Sequence, residues 1–255
     1  MSPVITVRPR RWALRLPVEA VLLLCSLFWA IASNRYFLQA ALQGREAADL
    51  SAWGFGLALG VALLAQNVLL LGLLCNGWTV KPVLAVLIVA TAVATHFMQH
   101  YGVYLDPSML RNVLRTNVAE AGELIGPALL WHLLGHAVLP LLVLWRIDLV
   151  SWSWRKAIVV RLLVLVAAAV VLVGSVLAVF QPLASLMRNQ KELRYLITPA
   201  NYLWSVASVA AGDTRTQTGP RKTIGSDARP GPSWATRKRP LLMVVVPSRA
   251  GICPT

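Results

Sequence analysis

Asn112, Thr116 and Glu120 stand four residues apart, so on one α-helix they rise in a column, each a turn above the last. They offer an amide, a hydroxyl and a carboxylate. A carboxylate supplies the countercharge for an ammonium group, and the amide and hydroxyl can bond a phosphate or its linkage. Such a set suits a zwitterionic lipid headgroup. It is also what the wet side of any interfacial helix displays, and spacing alone does not separate the two readings. A second set is His96 with His100 and His132 with His136, each pair one turn apart. Two such pairs at similar depth form a pattern for haem or a transition metal, while histidines near helix ends also simply meet headgroups and water.

The element that must position the first set runs from Leu110 to Ile125, after a helix start at Pro107-Ser108. At about 100° per residue, Met109, Asn112, Thr116, Glu120 and Glu123 fall within an arc of about 80°. Leu110, Val113, Leu114, Val118, Ala121, Leu124 and Ile125 fill the opposite side. This pattern predicts an amphipathic helix lying at a membrane surface.

That surface belongs to a bundle. Apolar runs at Pro17 to Ser33, Phe55 to Cys75, Pro82 to Phe97, Ala128 to Trp145 and Ala157 to Phe180 are each near the ~20 residues that cross a hydrocarbon core. Their continuity predicts helices rather than barrel strands. The expected fold is therefore an all-α, five-helix polytopic membrane bundle with an external amphipathic helix between spans three and four. The balance of 57% apolar and 13% charged residues excludes an ordinary water-soluble globule. With the N-terminus inside, nine basic residues flank the cytoplasmic ends against four in the external loops, which predicts N-in orientation. Trp12, Trp53, Trp78, Trp131, Trp145, Trp152 and Trp154 cluster near span ends, as an interfacial belt does. Gln66 and Asn67, in the middle of span two, are expected to bond between helices.

The net charge of +14 is uneven, with eleven basic and three acidic residues beyond residue 180. Beside so much apolar sequence this excess points to anionic lipid or solvation, and no nucleic-acid motif accompanies it. Three cysteines without a spacing pattern give no disulfide framework. Residues 1–205 are read as the membrane domain. Residues 206–239, with a Gly/Ser/Thr/Pro/Arg composition from Ala210 onward, are read as a flexible linker. Residues 240–255 begin with the β-branched stretch Pro240 to Val246, which looks like the first strand of a soluble domain.

Two segments carry a family resemblance. Tyr101-Gly102, Asp106 and then Met109-x-x-Asn112-x-x-x-Thr116-x-x-x-Glu120 are similar to the loop between spans three and four of the lipid A phosphoethanolamine transferases, the bacterial family that includes colistin-resistance enzymes. Arg188 to Tyr202, with Ile197-Thr198-Pro199-Ala200-Asn201-Tyr202 at its end, resembles the stretch after the fifth span in that family. The resemblance implies a five-helix domain in the inner membrane with a periplasmic, sulfatase-like, zinc-dependent catalytic domain. That domain moves phosphoethanolamine from phosphatidylethanolamine to lipid A. It also implies that Tyr101, Met109, Asn112, Thr116 and Glu120 form the membrane side of the lipid-donor site.

The family's Gly-Glu-Thr-x-Arg nucleophile motif, expected just after Val246, does not occur in this sequence. Phosphoryl transfer needs an activated nucleophile and a metal, and Ser248 and Thr255 have neither ligands nor a frame around them. The expectation is a chain cut short by a shifted frame or early stop, without catalytic or metal-binding residues, inactive alone but still binding phosphatidylethanolamine. The alternatives are a non-enzymatic lipid-binding or scaffold membrane protein, and a haem or metal membrane protein built on the histidines.

Overall fold

The computed structural model describes residues 14–46, 49–117, 122, 124–150 and 152–216. A short strand β1 (Leu14–Pro17) leads into α1 (Val18–Phe28), which continues through a π-helical turn (Trp29–Ser33) and then bends by 51° into α2 (Arg35–Leu42). Next come α3 (Leu50–Leu74), α4 (Val80–Tyr101) and the short α5 (Pro107–Arg115). The fourth apolar run is α6 (Pro127–Leu133), a π turn (Leu134–Val138) and α7 (Leu139–Arg146), followed by strand β2 (Ile147–Val150). The described chain closes with α8 (Trp154–Ala178), α9 (Phe180–Asn189), a 3-10 turn (Lys191–Leu196) and α10 (Ala200–Thr216).

Four of these helical stretches, at 50–74, 80–101, 127–146 and 154–178, are long and apolar enough to cross a membrane, and the bent pair α1–α2 makes five. The protein is an all-α membrane bundle, as the apolar runs predict. Several boundaries differ from expectation. Asp49 caps α3 by accepting from the Ser51 N–H at 2.9 Å, so span two starts five residues before Phe55. Span three runs on to Tyr101, because its residues stay helical until Gly102 takes a left-handed backbone with φ of 63°. Arg35–Leu42, expected as loop, is helical. Span four carries a π turn because Pro140 lacks an N–H and crowds the carbonyl four residues earlier, which a widened turn accommodates. Residues 206–216 of the expected linker continue α10. The expected strand at Pro240 to Val246 lies outside the described residues.

Two apolar clusters hold the bundle. One gathers Leu22, Trp29, Leu71, Leu84, Ile88 and Ala137. The other gathers Phe37, Phe55, Leu59, Met98, Leu193 and Leu196. Helix α8 leans on α3 where Gly72 has no side chain: a Cβ there would stand 2.7 Å from Leu165 Cδ2. Close approach of this kind is how helices associate where lipid gives no hydrophobic drive between them. The outer faces of α7 and α8 remain apolar and exposed, Leu142, Leu163, Val170 and Leu177 among them, as lipid-facing helices require.

The ends of the bundle fit an even number of crossings between the two strands. Strands β1 and β2 pair in parallel with Leu14 opposite Ile147. Four spans separate them, and an even number returns the chain to the same end. At that end Arg161 donates from Nη1 to the Cys75 carbonyl and stands 4.0 Å from Glu19. At the opposite end Asn34, at the bend between α1 and α2, bonds to Thr198, after α8.

Candidate functional site

The loop after span three is built by local rules. Gly102 ends α4, the chain runs extended to Asp106, and Asp106 caps α5 by accepting from the Met109 N–H at 2.8 Å and the Ser108 hydroxyl at 2.7 Å. Pro107 occupies the first turn, where its missing N–H costs nothing. Partial burial pushes the Asp106 carboxyl up, but the bonds from Met109 and Ser108 outweigh it and leave the group below its ordinary range. The anionic cap is thus favoured.

Helix α5 is shorter than its periodicity predicts. It stops at Arg115, and Thr116 turns away with ψ of 132°. At this end the Thr116 N–H and hydroxyl both bond back to the Asn112 carbonyl, at 2.9 and 3.0 Å. The structure therefore brings Asn112 and Thr116 together at the C-terminal turn of α5, both exposed. Met109 turns inward and packs against the second apolar cluster, so it anchors the helix rather than joining the polar face. Tyr101 lies across Gly102 at the end of α4, half-exposed, stacked on Phe97 with ring centroids 5.5 Å apart and set edge-on to His100 at 4.9 Å. Glu120, with Val118, Ala119, Ala121 and Glu123, lies outside the described residues.

What positions α5 is a set of bonds that the sequence pattern does not reveal. The Asn34 side chain is fully buried: its Nδ2 donates to the Trp29 and Thr198 carbonyls at 2.9 and 2.8 Å, and its Oδ1 accepts from the Thr198 N–H at 2.9 Å. Asn201 donates to the Tyr195 carbonyl at 2.7 Å and to Met98 Sδ at 3.4 Å. The Tyr202 hydroxyl meets the Thr91 hydroxyl at 3.0 Å, inside the bundle. Ser205 then donates to the carbonyl of Leu105 at 2.7 Å, one residue before the Asp106 cap. Each partnered buried group is worth about 0.5–1.5 kcal/mol, and orphaning one costs about 1–3 kcal/mol. The signal the sequence offers for this seam is the segment from Ile197 to Tyr202 that carries the family resemblance; Asn34 offers none.

The histidine pairs do join. His132 and His136 stack 4.0 Å apart and nearly parallel, and His96 lies 5.3 Å from both His100 and His132. Among the described residues, however, no group of three or more His, Cys, Asp or Glu is placed to hold a metal ion. Gln66 and Asn67 do not bond between helices as expected: Gln66 Nε2 and both amide atoms of Asn67 are buried without partners.

A helical membrane domain with a polar surface loop tied to the exit of its last span is the class these features define. A family model for the phosphoethanolamine transferase EptA/EptB matches residues 63–214, more than half of the chain, and the chain belongs to that family. Phosphatidylethanolamine transferase Mcr-1 of Escherichia coli is 31% identical over 196 residues, 76% of this chain and 36% of that protein. Phosphoethanolamine transferase EptA of Escherichia coli K12 is 29% identical over 231 residues, 89% of this chain and 42% of its own. Among solved structures, the integral membrane lipooligosaccharide phosphoethanolamine transferase A from Neisseria meningitidis shares the fold, with a TM-score of 0.75 at 22% identity over 83% of this chain and 41% of that one. The chain spans about two-fifths of the length of the curated relatives it matches.

Proposed function

We propose that this chain is the membrane domain of a phosphoethanolamine transferase acting on lipid A, and that it holds the donor, phosphatidylethanolamine, at the outer surface of the bacterial inner membrane. The N-terminus is then cytoplasmic, and the chain after α8 emerges in the periplasm. Two observations support this orientation: in the short flanks and loops nine basic residues fall on the N-terminal side against four on the other, the long segment after α8 voting little, and the polar loop and α10 share one end. Asn112 and Thr116 receive the phosphate side of the headgroup, Glu120 answers the ammonium, and Tyr101 and Met109 flank and anchor the site. The observation that carries the reading is the family match across residues 63–214, which contain this loop and the segment bonded to it. Group transfer itself requires a nucleophile and a metal, and among the described residues no group of three or more His, Cys, Asp or Glu is placed to hold a metal ion.

Binding of phosphatidylethanolamine to the purified chain in detergent tests the reading. Asn112→Ala and Glu120→Ala should each weaken it about tenfold, the loss of one bond to a charged group of about 1.5 kcal/mol. Phosphatidylglycerol, which lacks the ammonium, should be insensitive to Glu120→Ala. Unchanged binding of phosphatidylethanolamine in both variants returns α5 to an ordinary wet helix face.

A further inference from the structure

A groove opens beside α3, lined by Gln66, Arg194, Tyr195, Ile197, Asn201 and Trp204, with a volume of about 440 Å³. This is within the size range of small-ligand sites. The bonding state of its polar groups decides what it can take. Asn201 has spent its amide on Tyr195, Met98 and the Tyr202 N–H. Gln66 Nε2 is a buried donor with no partner. Arg194 gives one N–H to the Tyr195 hydroxyl at 3.0 Å and lies over that ring at 4.8 Å, which leaves most of its five donors unspent. Among the described residues the one ion pair is Arg161 with Glu19, so no described carboxylate neutralises Arg194.

The unspent groups are donors, one of them cationic, set among apolar walls. A ligand that satisfies them carries an anionic acceptor, further neutral acceptors and hydrocarbon. We infer that this groove between α3 and the Arg194–Trp204 segment binds one glycerophospholipid, the phosphodiester on Arg194 and an ester oxygen on Gln66. An orphaned buried amide is costly in a bundle, and an ester oxygen satisfies it. The guanidinium holds a phosphate oxygen with charge-assisted bonds. This site goes beyond the donor reading of α5 and does not depend on it. It lies on the segment that Asn34, Thr91 and Leu105 hold in place, so a lipid there fills the seam between the span-five exit and span two.

Native mass spectrometry of the full chain, purified in detergent and supplied with dioleoyl phosphatidylglycerol or dioleoylglycerol, tests the proposal. One phosphatidylglycerol should remain bound per chain, and dioleoylglycerol should not. Arg194→Gln should cut retention at least tenfold and Arg194→Lys should keep most of it. Gln66→Leu should lower retention about fivefold without lowering the unfolding temperature, since it removes an orphan rather than a bond. Asn112→Ala should leave this adduct intact. Equal retention of dioleoylglycerol, retention unchanged in Arg194→Gln, or loss of the adduct in Asn112→Ala would each overturn the site, whatever becomes of the phosphatidylethanolamine donor.

Discussion

The two ends of the bundle are fastened by different means. At the β1–β2 end, two four-residue strands pair, and Arg161 bridges the Cys75 carbonyl and Glu19. At the Asn34 end, buried side chains from spans one and three and from the chain after span five interlock through Asn34, Thr91, Thr198, Asn201 and Tyr202. The first fastening joins groups that still reach water; the second puts amides and hydroxyls where water is excluded, so each bond is satisfied or costly. Such a seam specifies one arrangement of the exit segment, and through Ser205 it fixes the carbonyl that precedes the Asp106 cap. The end that carries the α5 loop is the end that carries the specific polar bonds.

The contrast can be broken most severely at Asn34. Asn34→Leu removes the side-chain bonds to the N–H and carbonyl of Thr198 in the interior and should destabilise by about 3 kcal/mol, read as thermal unfolding in detergent. A fall no larger than that of the smallest change below would show the two ends to be equivalent. Gly72→Leu tests packing between the ends: forcing a side chain against Leu165 should cost about 1–3 kcal/mol, with Gly72→Ala much milder because only a leucine tip must move. Tyr202→Phe and Thr91→Val should each cost about 1 kcal/mol, and the double variant should cost less than their sum, which a double-mutant cycle measures.

Asp106 supplies a pH test confined to the Asn34 end. Its carboxyl is held below the ordinary value of about 4, so its contribution is full above that value and is lost as pH falls through the depressed one. The protection of α5 amides, taken against the intrinsic exchange rate at each pH, should fall below about pH 4, and Asp106→Ala should remove that dependence together with about 1 kcal/mol of cap stability. Glu19→Gln, at the opposite end, should cost the least, at most about 1 kcal/mol, and should leave α5 exchange unchanged.

The five crossings were legible because hydrophobic length is a local property. So was the start of α5, where Asp106, Pro107 and Ser108 carry the capping chemistry in their own side chains. Its end was not: there the Thr116 N–H and hydroxyl both bond back to the Asn112 carbonyl, which helical periodicity does not register. Of the column of Asn112, Thr116 and Glu120, the first two meet at the observed helix edge. Histidine spacing gave the two pairs, but their meeting across α4 and α6 depends on how the helices rotate. Met109 looked polar-facing on the wheel and is an anchor, since the neighbouring exit segment supplies the apolar surface it meets. The Asn34 seam joins residues 164 positions apart, beyond any local pattern.

That separation has a consequence for how the protein is made. At about 5–20 residues per second, Asn34 leaves the ribosome on the order of ten to thirty seconds before Thr198 does. Throughout that interval its amide has a helix carbonyl to bond but not the partner that buries it. Spans one to four can enter the membrane and find one another, yet the seam stays open until the fifth has crossed. The last-made partner is the one that shuts it, so burial of Asn34 reports that insertion has run to completion.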